Sequence, residues 1–338
     1  MKKFLLKVSA FAAFAFVIQV ILPVWIDPFN VFHWKNIRAN GVEPNKNYIK
    51  MKYILANPGK FDSFLFGSSR VGVIQTDKMT GEKCYNMTYA LGMPCWHMLN
   101  LKTLLKNGIR PKKIYIGVDS RSYTEDYKAQ INDPLRCPYE YLAGDNFHLL
   151  RLYADAAMLF RSLGAIARGS LGKIELVNTD IFYKYGWGII TKDTLDWSKA
   201  KPNVGDKVDI DTALKHIREI SGICRENNTE LILFTNPMHR ITYLASVRDK
   251  DYFKFLEGLA EISDFWNFSS LNDITTNNVN YHETSHYRAN VGDMIINVIC
   301  NGKSYPELNT QGFGVKVTRE NSRSFIEMLR RQAENFTE

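Results

Sequence analysis

The sequence predicts an α/β chain: a parallel sheet with helices on both faces, preceded by one apolar helix that crosses a membrane. Three observations carry this prediction. Short apolar runs that stop at glycine or small polar residues recur along the chain. Stretches with helical apolar spacing alternate with those runs, the pattern of a sheet whose parallel strands are joined by crossover helices. Near the N-terminus, the stretch from Val8 to Ile26 contains no charge.

That N-terminal stretch follows Lys2, Lys3 and Lys7. At about 1.5 Å per residue it nearly spans a hydrocarbon core of about 30 Å. The basic flank places the N-terminus in the cytoplasm and the rest of the chain outside it, in a single-pass arrangement at the cell membrane. The stretch ends in Pro23-Val24-Trp25-Ile26-Asp27-Pro28, which holds no small-x-small cleavage site. Trp25 suits the membrane interface, so residues 1–26 read as a retained signal anchor in preference to a cleaved signal peptide.

Residues 27–60, rich in Asn, Lys and Pro, read as a connecting segment with a short helix near Tyr48–Leu55. Residues 61–338 read as the main domain. Its first strand is Asp62-Ser63-Phe64-Leu65-Phe66, stopping at Gly67-Ser68-Ser69-Arg70. A second unit runs from Cys84 to Tyr89, then Gly92 and a helix through Leu99, Leu101, Leu104 and Leu105. Pro111 marks the turn before a third strand, Lys113–Asp119. Residues 147–168 read as helical, and 170–207 as an irregular, aromatic insertion. Ile210–Asn227 has Ala213, Ile217, Ile220 and Cys224 on one helical stripe. Leu231–Thr235 is the next strand, ending at Asn236-Pro237. A helix over Tyr252–Ile262, a last strand over Asp264–Phe268, a polar loop to Tyr281, a helix over Val291–Ile299 and a final helix near Arg319–Ala333 complete the pattern.

Composition narrows the function. With 338 residues, 45% hydrophobic and 23% charged, the chain has ample apolar material for a core. The net charge of +8 is spread along the chain without a dense basic run, which argues against nucleic acid as a partner and fits a surface near anionic lipid or polymer. The five cysteines are odd in number and show no CxxC spacing, which excludes zinc-finger and thioredoxin motifs. One disulfide remains open in an oxidising compartment.

In a parallel sheet, ligands bind at the carboxyl ends of the strands. Ser68, Ser69, Gly92, Asp119 and Asn236 all fall there. A serine hydroxyl becomes a nucleophile when a base takes its proton and a further group orients that base. Ser69 at a strand-to-helix turn can project its hydroxyl toward such a base; taken alone, the Ser68-Ser69 pair reads rather as a helix cap. His286 lies in a polar loop after the last strand, and Glu283, three residues earlier, can reach its imidazole. His239, after Asn236-Pro237-Met238, is a lesser candidate base. Arg70 reads either as a partner for an anionic substrate or as half of an internal ion pair.

The strand ending Phe66-Gly67-Ser68-Ser69 resembles the first block of the SGNH (GDSL-type) hydrolases, with Ser in place of the usual Asp before the nucleophile. Tyr281-His282-Glu283-Thr284-Ser285-His286-Tyr287, followed by Val291-Gly292, resembles their last block. The resemblance implies a flavodoxin-like three-layer αβα fold, Ser69 as nucleophile, His286 as base and Glu283 as acid. Asn86–Gly92 resembles the second block, which implies Gly92 as an oxyanion donor. Asp119 stands where the third block carries an oxyanion Asn, and an ionised carboxylate there would repel the oxyanion. Arg70 and Asn236 complete the expected substrate contacts. No cofactor is implied.

Together with the N-terminal anchor, these blocks look most like exported proteins that modify cell-surface polymers: the D-alanyl-transfer protein of lipoteichoic acid and polysaccharide O-acetylation proteins. The resemblance implies an acetyl or D-alanyl ester of a cell-surface glycan or teichoic acid as substrate, and a multi-pass membrane O-acyltransferase as partner.

Two other readings stand beside it. His282-Glu283-Thr284-Ser285-His286 spells HExxH, which on a helix holds zinc through His282 and His286 with Glu as general base. The departures at Glu283 and Asp119 also suit a non-catalytic glycan-binding scaffold.

Overall fold

Residues 1–170, 178–188 and 196–336 are described by a computed structural model. The expected insertion at 170–207 therefore lies partly outside the described residues, at 171–177 and 189–195. The chain divides into two compact units, Met1–Ala56 with Lys128–Asp180, and Asn57–Tyr127 with Ile181–Glu338. This departs from the expected boundaries. Residues 27–56 do not stand apart as a connector, and the segment that leaves the main domain begins at Lys128, well before residue 170.

The elements run α1 (Lys2–Ile26), α2 (Lys46–Ala56), β1 (Ser63–Phe66), β2 (Cys84–Asn86), α3 (Pro94–Lys106) and β3 (Lys113–Val118). Then come α4 (Tyr139–Gly144), α5 (Asn146–Tyr153), α6 (Ala156–Ser170), α7 (Thr179–Tyr185), α8 (Ile210–Glu226), β4 (Glu230–Thr235) and α9 (Arg240–Asp249). The chain ends with α10 (Tyr252–Ile262), β5 (Phe265–Asn267), α11 (Ala289–Ile299), α12 (Pro306–Thr310), β6 (Val315–Val317) and α13 (Ser322–Glu334).

The larger unit is an α/β domain on a six-stranded sheet of order β2-β1-β3-β4-β5-β6. β1 pairs in parallel with β2 and β3, β3 with β4, and β4 with β5. β6 is antiparallel to β5 and closes the edge. The sheet is thus mostly parallel; the expected last strand is the fifth, and β6 follows it. The middles of β1, β3 and β4 are apolar because both faces of the sheet are covered there. Side chains alternate across a strand. On one face, Leu65, Tyr115 and Phe234 join Val291, Ile295 and Ile296 of α11 in a buried cluster. On the other, Phe66 stacks on His97 of α3 at 5.5 Å between ring centroids. Each large side chain so buried contributes about 1.5–3 kcal/mol.

Strand order places a crevice where the chain turns from one side of β1 to the other. The first five strands follow the order 2-1-3-4-5, whose switch point lies between β1 and β3. Ser69 follows β1, Asp119 follows β3 and Asn236 follows β4, so all three lie at the strand ends where the sheet opens.

The smaller unit is helical apart from its loops. α1 is the one helix among the described residues long and apolar enough to cross a membrane. It ends at Asp27, which adopts a left-handed conformation (φ 51°) and returns its amide to Pro23 O. Asp27 is fully buried. Its carboxylate accepts from the amides of Val31, Phe32 and His33 and from Tyr153 Oη at 2.5 Å. Those bonds make the segment after α1 an ordered turn and account for its departure from the expected connector.

Candidate active site

Ser69 is set by the turn that ends β1. Its residue opens a short 3-10 turn, Ser69–Val73, whose first amide has no acceptor within the turn. Ser68 caps that turn through its Oγ, which accepts from Arg70 N at 3.4 Å. The two readings of the Ser68-Ser69 pair therefore divide between the two residues: Ser68 caps and Ser69 is partly exposed. Gly92 packs edge-on against this turn. A Cβ there would stand 2.2 Å from Gly67 O, so only glycine allows the approach.

His286 reaches Ser69 from the far end of the sequence. The loop carrying it is pinned at both ends by buried tyrosines. Tyr281 and Tyr287 form an antiparallel bridge, His282 N donates to His286 O at 2.9 Å, and Tyr281 Oη donates to Pro237 O at 2.9 Å. This places His286 Nε2 at 2.8 Å from Ser69 Oγ. His286 Nδ1 contacts Glu283 Oε1. A carboxylate only accepts, so Nδ1 carries the proton and Nε2 is left to accept from the serine hydroxyl. Glu283 is itself held by the amides of Ser285 and His286, each at 2.8 Å. Burial pushes its carboxyl up, but the bond and charge of His286 and the two amides outweigh that and leave it below the ordinary glutamate range.

Beneath the serine lies a buried charged group. Arg70 and Asp119 are 2% and 1% exposed. Arg70 Nη1 stands 2.7 Å from Asp119 Oδ1, an ion pair whose N–H direction misses hydrogen-bond geometry. Asp119 Oδ1 also accepts from Arg121 N at 2.7 Å, and Oδ2 from Asn236 Nδ2 at 2.8 Å. Arg70 Nε donates to Ser285 Oγ at 2.8 Å and Nη2 to Asn203 O at 2.8 Å. The arginine thereby joins the turn after β1 to the loop of His286.

The geometry gives the expected contact residues these partners. Asp119 and Asn236 are expected at the oxyanion or substrate, and Arg70 either at an anionic substrate or in an internal ion pair; the ion pair is the arrangement found for Arg70, and Asp119 joins it to Asn236. The anomaly of a carboxylate at position 119 resolves as the counter-charge of Arg70. The Gly92 amide, expected to face an oxyanion, donates to Tyr89 O at 3.2 Å. His239 caps α9, with Nε2 at 2.9 Å from Asn278 Oδ1 and Nδ1 facing Ile241 N, which leaves neither nitrogen for Ser69. The zinc reading needs His282 and His286 on one helical face, whereas 282–286 is a loop and both ring nitrogens of His286 are occupied. Among the described residues no group of three potential metal ligands gathers.

Sequence reasoning missed Asn203, Thr242, Thr284 and Ser285. Asn203 N donates to Thr242 Oγ1 at 3.0 Å, Thr242 Oγ1 to Thr284 O at 2.7 Å, and Thr284 Oγ1 to Lys201 O at 2.7 Å. The stretch around Pro202 carries no motif that would have announced this role. A concavity of about 640 Å³ on α13, lined by Glu327, Met328 and Arg331 among others, shares no residue with the Ser69 site.

Compared with known protein families, with curated proteins and with solved structures, the chain matches none.

Proposed function

We propose that this chain is a membrane-anchored, extracytoplasmic serine esterase or O-acyltransferase of the SGNH type. Its substrates are acetyl or D-alanyl esters of a cell-surface polysaccharide or teichoic acid. The observation that carries the proposal is the unbroken line from Ser69 Oγ through His286 to Glu283. A serine hydroxyl, an imidazole and an ionised carboxylate in that order are the parts of acyl transfer. The strand order and the unburied apolar α1 are in keeping with the fold and the anchor this reading requires.

In this reading His286 Nε2 takes the hydroxyl proton as Ser69 Oγ bonds to the acyl carbonyl carbon. The carbonyl oxygen becomes an oxyanion, and the Ser69 amide is the donor available to it. Collapse breaks the bond to the leaving alkoxide, which receives the proton from the imidazolium. Water or a sugar hydroxyl then attacks the acyl-serine, with His286 again as base. Glu283 holds the tautomer and balances the imidazolium charge.

Purified full-length protein assayed with p-nitrophenyl acetate is expected to release nitrophenol, and Ser69→Ala and His286→Ala each to abolish the release. Activity that survives Ser69→Ala would sink the reading. A folded chain that binds acetylated glycan and turns over no ester would instead be the scaffold.

A further inference from the structure

We propose that α6, together with α5, is a second membrane-contacting element, an interfacial segment lying in the leaflet at the C-terminal end of α1. The proposal rests on reading α1 as the membrane span and goes beyond it, since a signal anchor alone requires no further lipid contact.

The first observation is the surface of α6. Its buried side chains, Met158, Ser162 and Ala165, recur at helical spacing and face inward. Beside them runs an exposed apolar stripe, in which Phe160 is 72%, Leu163 46% and Ile166 40% exposed. On α5, Phe147 and Leu150 are exposed at 74% and 47%. Large apolar side chains grouped in this way are unfavourable in water and mark a surface that meets something apolar.

The second observation identifies the occupant. α6 packs along α1, and α5 meets it as well. The first part of α1, through Ile18, is exposed, whereas Gln19 to Ile26 is partly covered except at Ile21 and Trp25. Gln19 Nε2 donates to Ala154 O at 2.9 Å, at the break between α5 and α6. That bond sets the depth: Gln19 lies about 10 Å along the helix axis from Ile26, at about 1.5 Å per residue. An interfacial helix buries its apolar face about 5–10 Å below the headgroups, the same depth. The bond also satisfies both a side-chain amide and a helix-end carbonyl, which in hydrocarbon would otherwise each go unpaired.

The third observation is charge. From Ala156 to Arg168 there is no acid, and Arg161 and Arg168 lie together on the flank of the stripe. Arg161 stacks over Phe29 at 5.4 Å from the ring centroid, which directs it along the loop after α1. Arginines flanking an apolar stripe match anionic headgroups above acyl chains. An apolar partner protein would have no need of the cations. We therefore commit to lipid as the occupant.

The test uses full-length protein in vesicles of phosphatidylcholine and phosphatidylglycerol. Cys300, the one cysteine that is not buried, is first replaced by Ser. Single cysteines are then introduced by Phe160→Cys, Leu163→Cys, Phe14→Cys and Val279→Cys, all at exposed positions, and labelled with a nitrobenzoxadiazole fluorophore. Quenching is read with acyl-chain nitroxide lipid and with aqueous iodide. The expected result is lipid quenching at 160 and 163 comparable to that at 14, and iodide quenching at 279 alone. Iodide quenching at 160 and 163, with lipid quenching retained at 14, overturns the proposal and leaves the anchor intact. Protection of 160 and 163 from both quenchers overturns it in favour of a protein partner. Loss of lipid quenching at 14 removes the anchor reading, and this proposal with it.

Discussion

Ser69 and His286 stand 217 positions apart in sequence and 2.8 Å apart in space. Both were legible in the sequence, because each sits in a short block whose chemistry is local: a small-residue turn after a buried strand, and a carboxylate three residues before a histidine. Asp119 was legible as a position and not as a role. Its partner Arg70 lies on another strand end, and the spacing of one sequence does not say which buried charges meet. The site yields a prediction on Glu283. Glu283→Gln keeps the shape but removes the carboxylate charge and replaces one accepting oxygen by a donor NH2 among amides and Nδ1–H that all donate, so kcat on p-nitrophenyl acetate is expected to fall about 10²–10⁴-fold with KM little changed. An unchanged kcat would remove Glu283 from the relay. A second prediction concerns the ion pair. Arg70→Met leaves Asp119 buried without its cation and is expected to cost about 3–5 kcal/mol in denaturant unfolding. The double variant Arg70→Met/Asp119→Leu removes both charges and is expected to recover much of that loss.

At the scale of elements, the helices and strands with strong patterning were readable. α8 and α10 carry their buried residues on one stripe, and β1, β3 and β4 are apolar runs bounded by turn residues. α9 was missed because its apolar residues fall on no single stripe. β6 was missed because it is a three-residue edge strand directly after Gly312-Phe313-Gly314, too short for alternation to register. The helical reading of 147–168 merged two helices, since the break at Ala154–Asp155 has neither Gly nor Pro; Asp155 side-chain capping of Ala157 N, at 2.8 Å, ends one and begins the next. Gly92 carries the prediction at this scale. A methyl group at 92 meets Gly67 O, part of the turn that presents Ser69. Gly92→Ala is expected to cost about 1–3 kcal/mol and to lower esterase activity through displacement of Ser69, with activity and stability measured on the same preparation. Full activity in the variant would show that the turn yields without moving Ser69.

For the molecule as a whole, the domain boundaries were the least legible feature. A sequence is read along its length, whereas the smaller unit joins Met1–Ala56 to Lys128–Asp180. Asp27 and Tyr153, which tie those two stretches together, carry no motif. Stability against pH is a property at this scale. Burial pushes the His97 imidazole down to about 3 from the ordinary 6.5. Unfolding between those values takes up a proton, so the stability His97 contributes is complete above pH 6.5 and is lost toward pH 3, at about 1.4 kcal/mol per pH unit. Glu283 acts in the same sense at lower pH. Its stabilisation is present above the ordinary glutamate value of 4.5 and is lost as pH falls through its depressed folded value. His97→Leu is expected to flatten the limb between pH 6.5 and 3, measured by denaturant unfolding across pH; an unchanged slope would show that His97 is protonated in the folded state.

The central claim is that Ser69 is an activated nucleophile. The most direct measurement is the intact mass of the full-length protein after exposure to a fluorophosphonate, with peptide mapping of the adduct. The account predicts one adduct, on Ser69, absent in Ser69→Ala and suppressed in His286→Ala. A folded protein that takes up no adduct, or takes it up at another residue, would contradict it.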